Sequence, residues 1–253
     1  PAEGAPASAA LRVLVRRLAS VPVVPHLAGL RRDATGRHAT APLRTEQPPD
    51  QRAEPARGGA CTIVGIGASA GGPGAIAAVL AALPRDFGAC VVVVQHLPPG
   101  FTESFVEFLR TKTALAVGVV DRRMSITSGT VRVAPDNRHL VAMPGNILSP
   151  LDAPPMEGHR PSVTVLLRSL GEVFGSAAAG VVLSGIGHDG AEGLATIHAK
   201  GGVTFAQDQA TSVVWGMPRA AAEAGAVTRV LPLPAIGPAL IEHVGTGRPR
   251  RRA

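Results

Sequence analysis

Three reactive side chains stand where apolar runs of this 253-residue sequence break into glycine. Ser69 lies in Gly67-Ala68-Ser69-Ala70-Gly71, after Cys61-Thr62-Ile63-Val64-Gly65-Ile66. His96 follows Ala89-Cys90-Val91-Val92-Val93-Val94-Gln95, and Asp189 lies in Ser184-Gly185-Ile186-Gly187-His188-Asp189-Gly190. Ser, His and Asp are the set needed for nucleophilic acyl transfer. A serine hydroxyl is a poor nucleophile until a base takes its proton. An imidazole is such a base, and a carboxylate fixes its tautomer and stabilises the imidazolium. The residues around Ser69 spell G-x-S-x-G, a nucleophile elbow whose small residues permit a sharp strand-to-helix turn. Backbone N–H groups after Ser69 then fall at a helix N-terminus, where they can stabilise a developing oxyanion.

The same stretch admits rivals. Gly65-Ile66-Gly67-Ala68-Ser69-Ala70 fits the dinucleotide fingerprint G-x-G-x-x-G/A. That fingerprint wants an acidic residue at the end of the second strand for the ribose, where this chain has Gln95-His96. A third reading is a non-catalytic turn that needs small residues only to bring helix and strand close. Among eight histidines, His188 adjoins Asp189 and is the alternative base. Side chains of adjacent residues diverge, however, whereas His96 leaves a different strand and can face Ser69, so His96 is favoured. His159 lies in a loop that could border the site. His26, His38, His139, His198 and His243 read as solvated or packed. Asp189 also suits a turn or a helix cap. His188, Asp189 and His198 lack a recognised metal spacing, and neither metal nor cofactor is expected.

The elements that must position these groups follow from hydrophobic patterning. Buried strands are expected at 61–66, 89–95, 178–183 and 203–206, and helices at 73–83, from Thr102 as N-cap, from Ser162 as N-cap, and at 191–200, 217–223 and 234–244. This alternation builds an α/β fold: a doubly wound, mainly parallel sheet with helices on both faces. Carboxyl ends of parallel strands share one edge, so Ser69, His96 and Asp189 should meet there. Between Leu115 and Pro150 short runs at 116–120, 130–134, 139–143 and 147–148 alternate with turns at Pro135-Asp136-Asn137 and Pro144-Gly145-Asn146. They read as a small antiparallel hairpin insertion beside the main sheet. The Ser, His, Asp order differs from the Ser, Asp, His order of α/β-hydrolases, so the elbow does not imply their fold.

Charge and cysteine narrow the function classes. The net charge of +7 is carried by the ends: residues 1–58 hold nine Arg against five acidic residues, and Arg248, Arg250, Arg251 and Arg252 add four more. Residues 59–247 carry 12 basic and 13 acidic residues, so no nucleic-acid signature attaches to them. Cys61 and Cys90 sit in apolar runs and suit a reducing cytoplasm rather than a disulfide framework. No apolar run is long enough to insert into a membrane. Residues 1–58, rich in Ala, Arg and Pro, are expected to be a disordered or weakly structured extension with a short helix at 9–19. Residues 59–247 are expected to be the catalytic domain, and 248–253 a basic tail.

Gly65-Ile66-Gly67-Ala68-Ser69-Ala70-Gly71-Gly72, Gln95-His96-Leu97-Pro98-Pro99-Gly100-Phe101, His159-Arg160-Pro161-Ser162-Val163 and Gly185-Ile186-Gly187-His188-Asp189-Gly190 together resemble the catalytic domain of the chemotaxis methylesterase family CheB. Val133-Ala134-Pro135 and Gly216-Met217-Pro218-Arg219 agree with it, and the resemblance covers about residues 61–231. It implies a cytoplasmic protein-glutamate methylesterase that hydrolyses γ-glutamyl methyl esters on the helices of methylated chemoreceptors, and in many members a glutamine deamidase. It implies Ser69 as nucleophile, His96 as base and Asp189 as its orienting carboxylate. The backbone N–H of Ile186, where the family often has Met, is implied as an oxyanion donor. His188 and Ala70 replace a frequent Asn and Thr. Well-known members carry an N-terminal receiver domain. Residues 1–58 are too short for one, so the resemblance is to a catalytic domain standing alone.

Overall fold

The computed structural model describes residues 62–244. Cys61, the 1–58 segment with the helix expected at 9–19, and the 248–253 segment lie outside the described residues. Seven strands form one parallel sheet in the order β10-β9-β8-β1-β2-β5-β3. They are β1 (Ile63–Ala68), β2 (Cys90–Gln95), β3 (Ala116–Val119), β5 (Thr130–Val133), β8 (Ala178–Val182), β9 (Val203–Gln207) and β10 (Arg229–Leu231). β1 and β2 run side by side with Ile63 opposite Cys90 and Ala68 opposite Gln95, and β8 flanks β1 on the other side. Strands covered on both faces are near-continuous apolar runs, and β1, β2, β8 and β9 are buried at every position, with polar Gln95, Thr204 and Gln207 as the exceptions in composition.

Two hydrophobic layers enclose the sheet. On one face, α1 (Gly72–Ala81), α2 (Thr102–Arg110) and α6 (Leu233–Val244) pack Ile76, Leu80, Phe105, Leu109, Ile236 and Leu240 against Val64, Ile66, Val91 and Val93. On the other, α3 (Val163–Phe174), α4 (Ala191–Ala199) and α5 (Met217–Glu223) pack Val163, Leu167, Leu194, Ile197 and Met217 against Ile63, Val92, Val94 and Val182. β1 feeds a helix on the first face and its neighbour β8 feeds one on the second. The crevice outside their carboxyl ends is thus a topological switch point, where open α/β sheets form their sites.

The glycines of β1 have a packing purpose. A Cβ at Gly65 would lie 2.5 Å from Leu167 Cδ2, and one at Gly67 would run into Val163. Both residues sit inside the strand, and α3 fills the space that their missing side chains leave. The G-x-G spacing therefore brings a helix close to the sheet rather than a pyrophosphate to a turn.

The sequence-predicted helices at 73–83, 191–200, 217–223 and 234–244 all form, within a residue or two of the expected ends. The expected antiparallel insertion forms, but two of the runs assigned to it, 116–120 and 130–134, belong elsewhere. β3 and β5 are parallel members of the main sheet, paired Ala116 to Thr130 through Val119 to Val133. Only β4 (Met124–Ser125), β6 (His139–Met143) and β7 (Ile147–Leu151) form the separate antiparallel sheet, in the order β4-β7-β6. Four short runs with turns between them give no sign of which partner each will choose. Thr102 is the first residue of α2 and not its cap; its hydroxyl donates to Asp136 Oδ1. β10 has no sequence signal, because Arg229 and Val230 are exposed on an edge and carry no buried pattern.

Candidate active site

Each of the three expected residues lies at or just past a carboxyl end of this sheet. Ser69 follows β1, and its N–H donates to Ser184 O beyond β8 at 3.0 Å. His96 follows β2, and its N–H donates to Ala68 O at 3.0 Å. Asp189 lies in the loop between β8 and α4. Gly71, in the left-handed region at φ 78°, turns the chain from β1 into α1. A side chain there would be strained by the backbone and would also meet Val213 and the Ser184 hydroxyl. Gly185 keeps the β8 loop close to the elbow, since a Cβ on it would lie 2.9 Å from Ser69 Cβ.

His96 and Asp189 are joined: His96 Nε2 lies 2.9 Å from Asp189 Oδ2. The carboxylate is 2% exposed, so its charge requires partners. The start of α3 supplies them. Ser162 Oγ donates to Oδ1 at 2.8 Å, Thr164 N–H to Oδ1 at 2.8 Å, and Val163 N–H to Oδ2 at 2.7 Å. Ser162 is at the same time the N-cap of α3, accepting from Val165 N–H at 3.3 Å. Asp189 thus receives two of the helix's free amides at the positive end of its dipole. Burial alone would raise its pKa. The hydrogen bonds from His96 and from the Thr164 and Val163 amides overcome burial and hold the pKa well below the ordinary 3.8, so the group is ionised at neutral pH.

A permanent carboxylate at Nε2 makes that nitrogen the donor of a neutral His96 and leaves Nδ1 as the lone-pair nitrogen. Nδ1 is buried and has no hydrogen-bond partner among the described residues. One face of the ring is set by His159, whose imidazole stacks on His96 with centroids 4.0 Å apart and planes 7° from parallel. Burial, and then the proximity of His96, lower the pKa of His159. It therefore stacks as a neutral ring at pH 7.

Ser69 Oγ makes no hydrogen bond among the described residues, so the serine–imidazole hydrogen bond that a triad uses is not formed in this structure. Hydrogen bonds of this kind commonly tighten only around a substrate. Ser184, a nearby rival hydroxyl, is committed elsewhere. It is 1% exposed, donates to Ala70 O at 2.7 Å and accepts from Val214 N–H at 2.9 Å. The amides of Ala70 and Ile186 donate to no group among the described residues. The Ile186 side chain is 65% exposed at the rim, as is that of Val213 at 76%.

His188, the alternative base, pairs with Glu157 instead of Asp189. It lies on the exterior, with Nε2 3.0 Å from Glu157 Oε2 and its side chain 67% exposed. Of the remaining histidines, His139 is a packed one: its Nε2 lies 3.0 Å from Pro154 O and its Nδ1 accepts from Ser162 N–H. His198 Nδ1 lies 3.5 Å from Thr228 Oγ1 and shares no partner with Asp189. Among the described residues no cluster of His, Cys, Asp or Glu could hold a metal ion. The partnership of Ser162 with Asp189 escapes sequence reasoning. Each reads locally as a helix cap, and the structure shows that both close the same helix, α3. Gln95 escapes it too; its Nε2 donates to Ser69 O and His96 O.

The family model for the CheB methylesterase matches residues 64–240. The chain is 45% identical over 234 residues to protein-glutamate methylesterase/protein-glutamine glutaminase 2 of Anaeromyxobacter dehalogenans, covering 92% of this chain and 63% of the relative. It is 45% identical over 207 residues to the protein-glutamate methylesterase FrzG of Myxococcus xanthus, covering 81% of this chain and 62% of that protein. The chain thus spans about three fifths of the length of these curated relatives. Its fold is similar to the crystal structure of the Thermotoga maritima CheB methylesterase catalytic domain, with a TM-score of 0.69 and 36% identity, covering 72% of this chain and 97% of that one.

Proposed function

The chain belongs to the CheB methylesterase family, and from that premise we propose that it is a protein-glutamate methylesterase working through Ser69, His96 and Asp189. The observation that carries the reading is the His96–Asp189 pair, its buried carboxylate kept ionised by the start of α3, beside the Ser69 elbow. Such a pair holds a neutral imidazole in one tautomer and stabilises its protonated form, which is the requirement for activating a hydroxyl.

In the first half-reaction Ser69 Oγ attacks the ester carbonyl while His96 Nδ1 takes its proton. The oxyanion lies towards the unpartnered amides of Ala70 and Ile186. Collapse of the intermediate breaks the bond to methoxide, which takes the proton from His96 and leaves as methanol. Water then attacks the acyl-serine with His96 as base; collapse breaks the bond to Ser69 Oγ, which takes that proton from His96, and the glutamic acid set free loses its own proton to solvent. Asp189 stays ionised throughout. The same acyl chemistry would release ammonia from a glutamine side chain, the second activity in the names of several relatives.

We infer that the substrates are γ-glutamyl methyl esters on the helices of methylated chemoreceptors. Residues 59–247 carry almost no net charge, which suits a protein substrate better than nucleic acid. No helix among the described residues is long and apolar enough to cross a membrane. Residues 59–247 are proposed as the catalytic unit, with the segments on either side outside it. The test is methanol release from a methylated receptor fragment. Wild type should release methanol and Ser69→Ala should not; equal release by both would remove Ser69 from the mechanism.

A further inference from the structure

Gln95 is the last residue of β2 and is 5% exposed. A glutamine at this depth must direct its amide to particular partners. Its Nε2 donates one hydrogen to Ser69 O at 2.8 Å and the other to His96 O at 3.0 Å. One carboxamide therefore joins the backbone of the residue proposed as nucleophile to that of the residue proposed as base, across the gap between β1 and β2. Ser69 O also accepts from Gly72 N–H at 2.9 Å, so two donors fix it. No other hydrogen bond to His96 O is found among the described residues. The reverse orientation of the amide would aim Oε1 at two carbonyl oxygens, so the chemistry of the acceptors sets the rotamer.

The surroundings are shaped for this side chain. Gln95 Oε1 is buried without a hydrogen-bond partner, an unfavourable state that the two donated bonds must outweigh. It lies against Gly72, where a Cβ would collide with it. The first residue of α1 thus makes room for Gln95. Gln207, the second buried glutamine at this edge, is engaged elsewhere. Its Oε1 accepts from Ser184 N–H and its Nε2 donates to Thr211 O, away from Ser69 and His96.

We propose that Gln95 is a positioning residue that sets the distance between Ser69 and His96, by tying both backbones to one carboxamide. This rests on the serine-hydrolase reading above. Ser69 Oγ and His96 share no hydrogen bond, so their approach depends on how the two backbones are held. An error of about 1 Å in such an approach costs on the order of a hundredfold in rate. Gln95 touches no reacting atom. Its loss should therefore lower kcat and leave substrate affinity alone.

The experiment compares wild type, Ser69→Ala, Gln95→Met and Gln95→Glu by thermal melting, by methanol release and by the rate of labelling with a fluorophosphonate. Gln95→Met keeps the length and removes both donors. Gln95→Glu is isosteric; burial against two carbonyl oxygens favours its protonated form, whose single O–H can tie only one of the two backbones, so it carries the test alone if Gln95→Met does not fold. The expected result is that kcat and the labelling rate fall by about tenfold to a hundredfold in Gln95→Met. KM should stay within about twofold, folding should remain cooperative, and Gln95→Glu should also be slower than wild type. A folded Gln95→Met with wild-type kcat, or a Gln95→Glu as fast as wild type, overturns the proposal. So does activity that merely tracks melting temperature. If instead Ser69→Ala releases methanol at the wild-type rate, the underlying hydrolase reading has failed, whatever the Gln95 variants do.

Discussion

Asp189 illustrates how one side chain can serve structure and chemistry together. Its carboxylate closes the free end of α3 and orients His96 in the same set of hydrogen bonds. Asp189→Asn should still pack, but its amide can hold His96 in the wrong tautomer. We expect a loss on the order of a thousandfold or more in kcat. The acid limb of stability should change as well. The folded pKa of Asp189 lies below its ordinary value of 3.8, so the ionised group contributes stability that is fully present above about pH 4. That contribution is lost as pH falls towards the folded pKa. Wild type should therefore lose stability below pH 4 more steeply than Asp189→Asn, as read by urea unfolding at pH 2.5 to 6. His188 offers the contrast. Its contact with Glu157 is exposed, and even charged pairs at exposed positions contribute only about 0–1 kcal/mol. His188→Ala should keep methanol release within about threefold of wild type, whereas His96→Ala should be nearly inactive. A dead His188→Ala beside an active His96→Ala would reverse the assignment of the base.

At the scale of elements, α3 is the part on which the site depends. Its first turn holds Asp189, and its Val163 and Leu167 fill the spaces behind Gly67 and Gly65. Ser162→Ala removes a cap and a donor to a buried carboxylate. Caps contribute about 0.5–2 kcal/mol, and hydrogen bonds to charged groups about 1.5–3 kcal/mol. Urea unfolding should register a loss of about 2 kcal/mol or more. Gly67→Ala should cost about 1–3 kcal/mol, because the added methyl must displace Val163. An unchanged midpoint in either variant would mean that α3 does not seat as described. These elements were legible where patterning is strong: the fully buried strands of the sheet and helices such as 217–223 stand out in the sequence. The candidate site was legible because a serine, a histidine and an aspartate each follow such a strand. The partners of β3 and β5 were not legible, since four-residue strands say little about which neighbour they join. The Ser162–Asp189 contact spans 27 positions and has no local signature. The same holds for Gln95, a lone amide at a strand end, and for the stacking of His159.

For the whole molecule, the parallel sheet and its two helical layers lie within residues 62–244, and every named site residue lies among them. The excess positive charge lies in 1–58 and 248–253. A fragment of residues 59–247 should therefore melt in one cooperative transition and retain methanol release. A broad, non-cooperative melt would show that the flanking segments complete the core.

The central claim is that Ser69 is a nucleophile activated by His96. It is tested most directly by treating the protein with a fluorophosphonate and locating the adduct by mass spectrometry. The expected result is a single adduct on Ser69 that forms at neutral pH and is nearly abolished in His96→Ala, with the buried Ser162 and Ser184 unmodified. No adduct, an adduct on another serine, or labelling of Ser69 undiminished in His96→Ala would contradict the account.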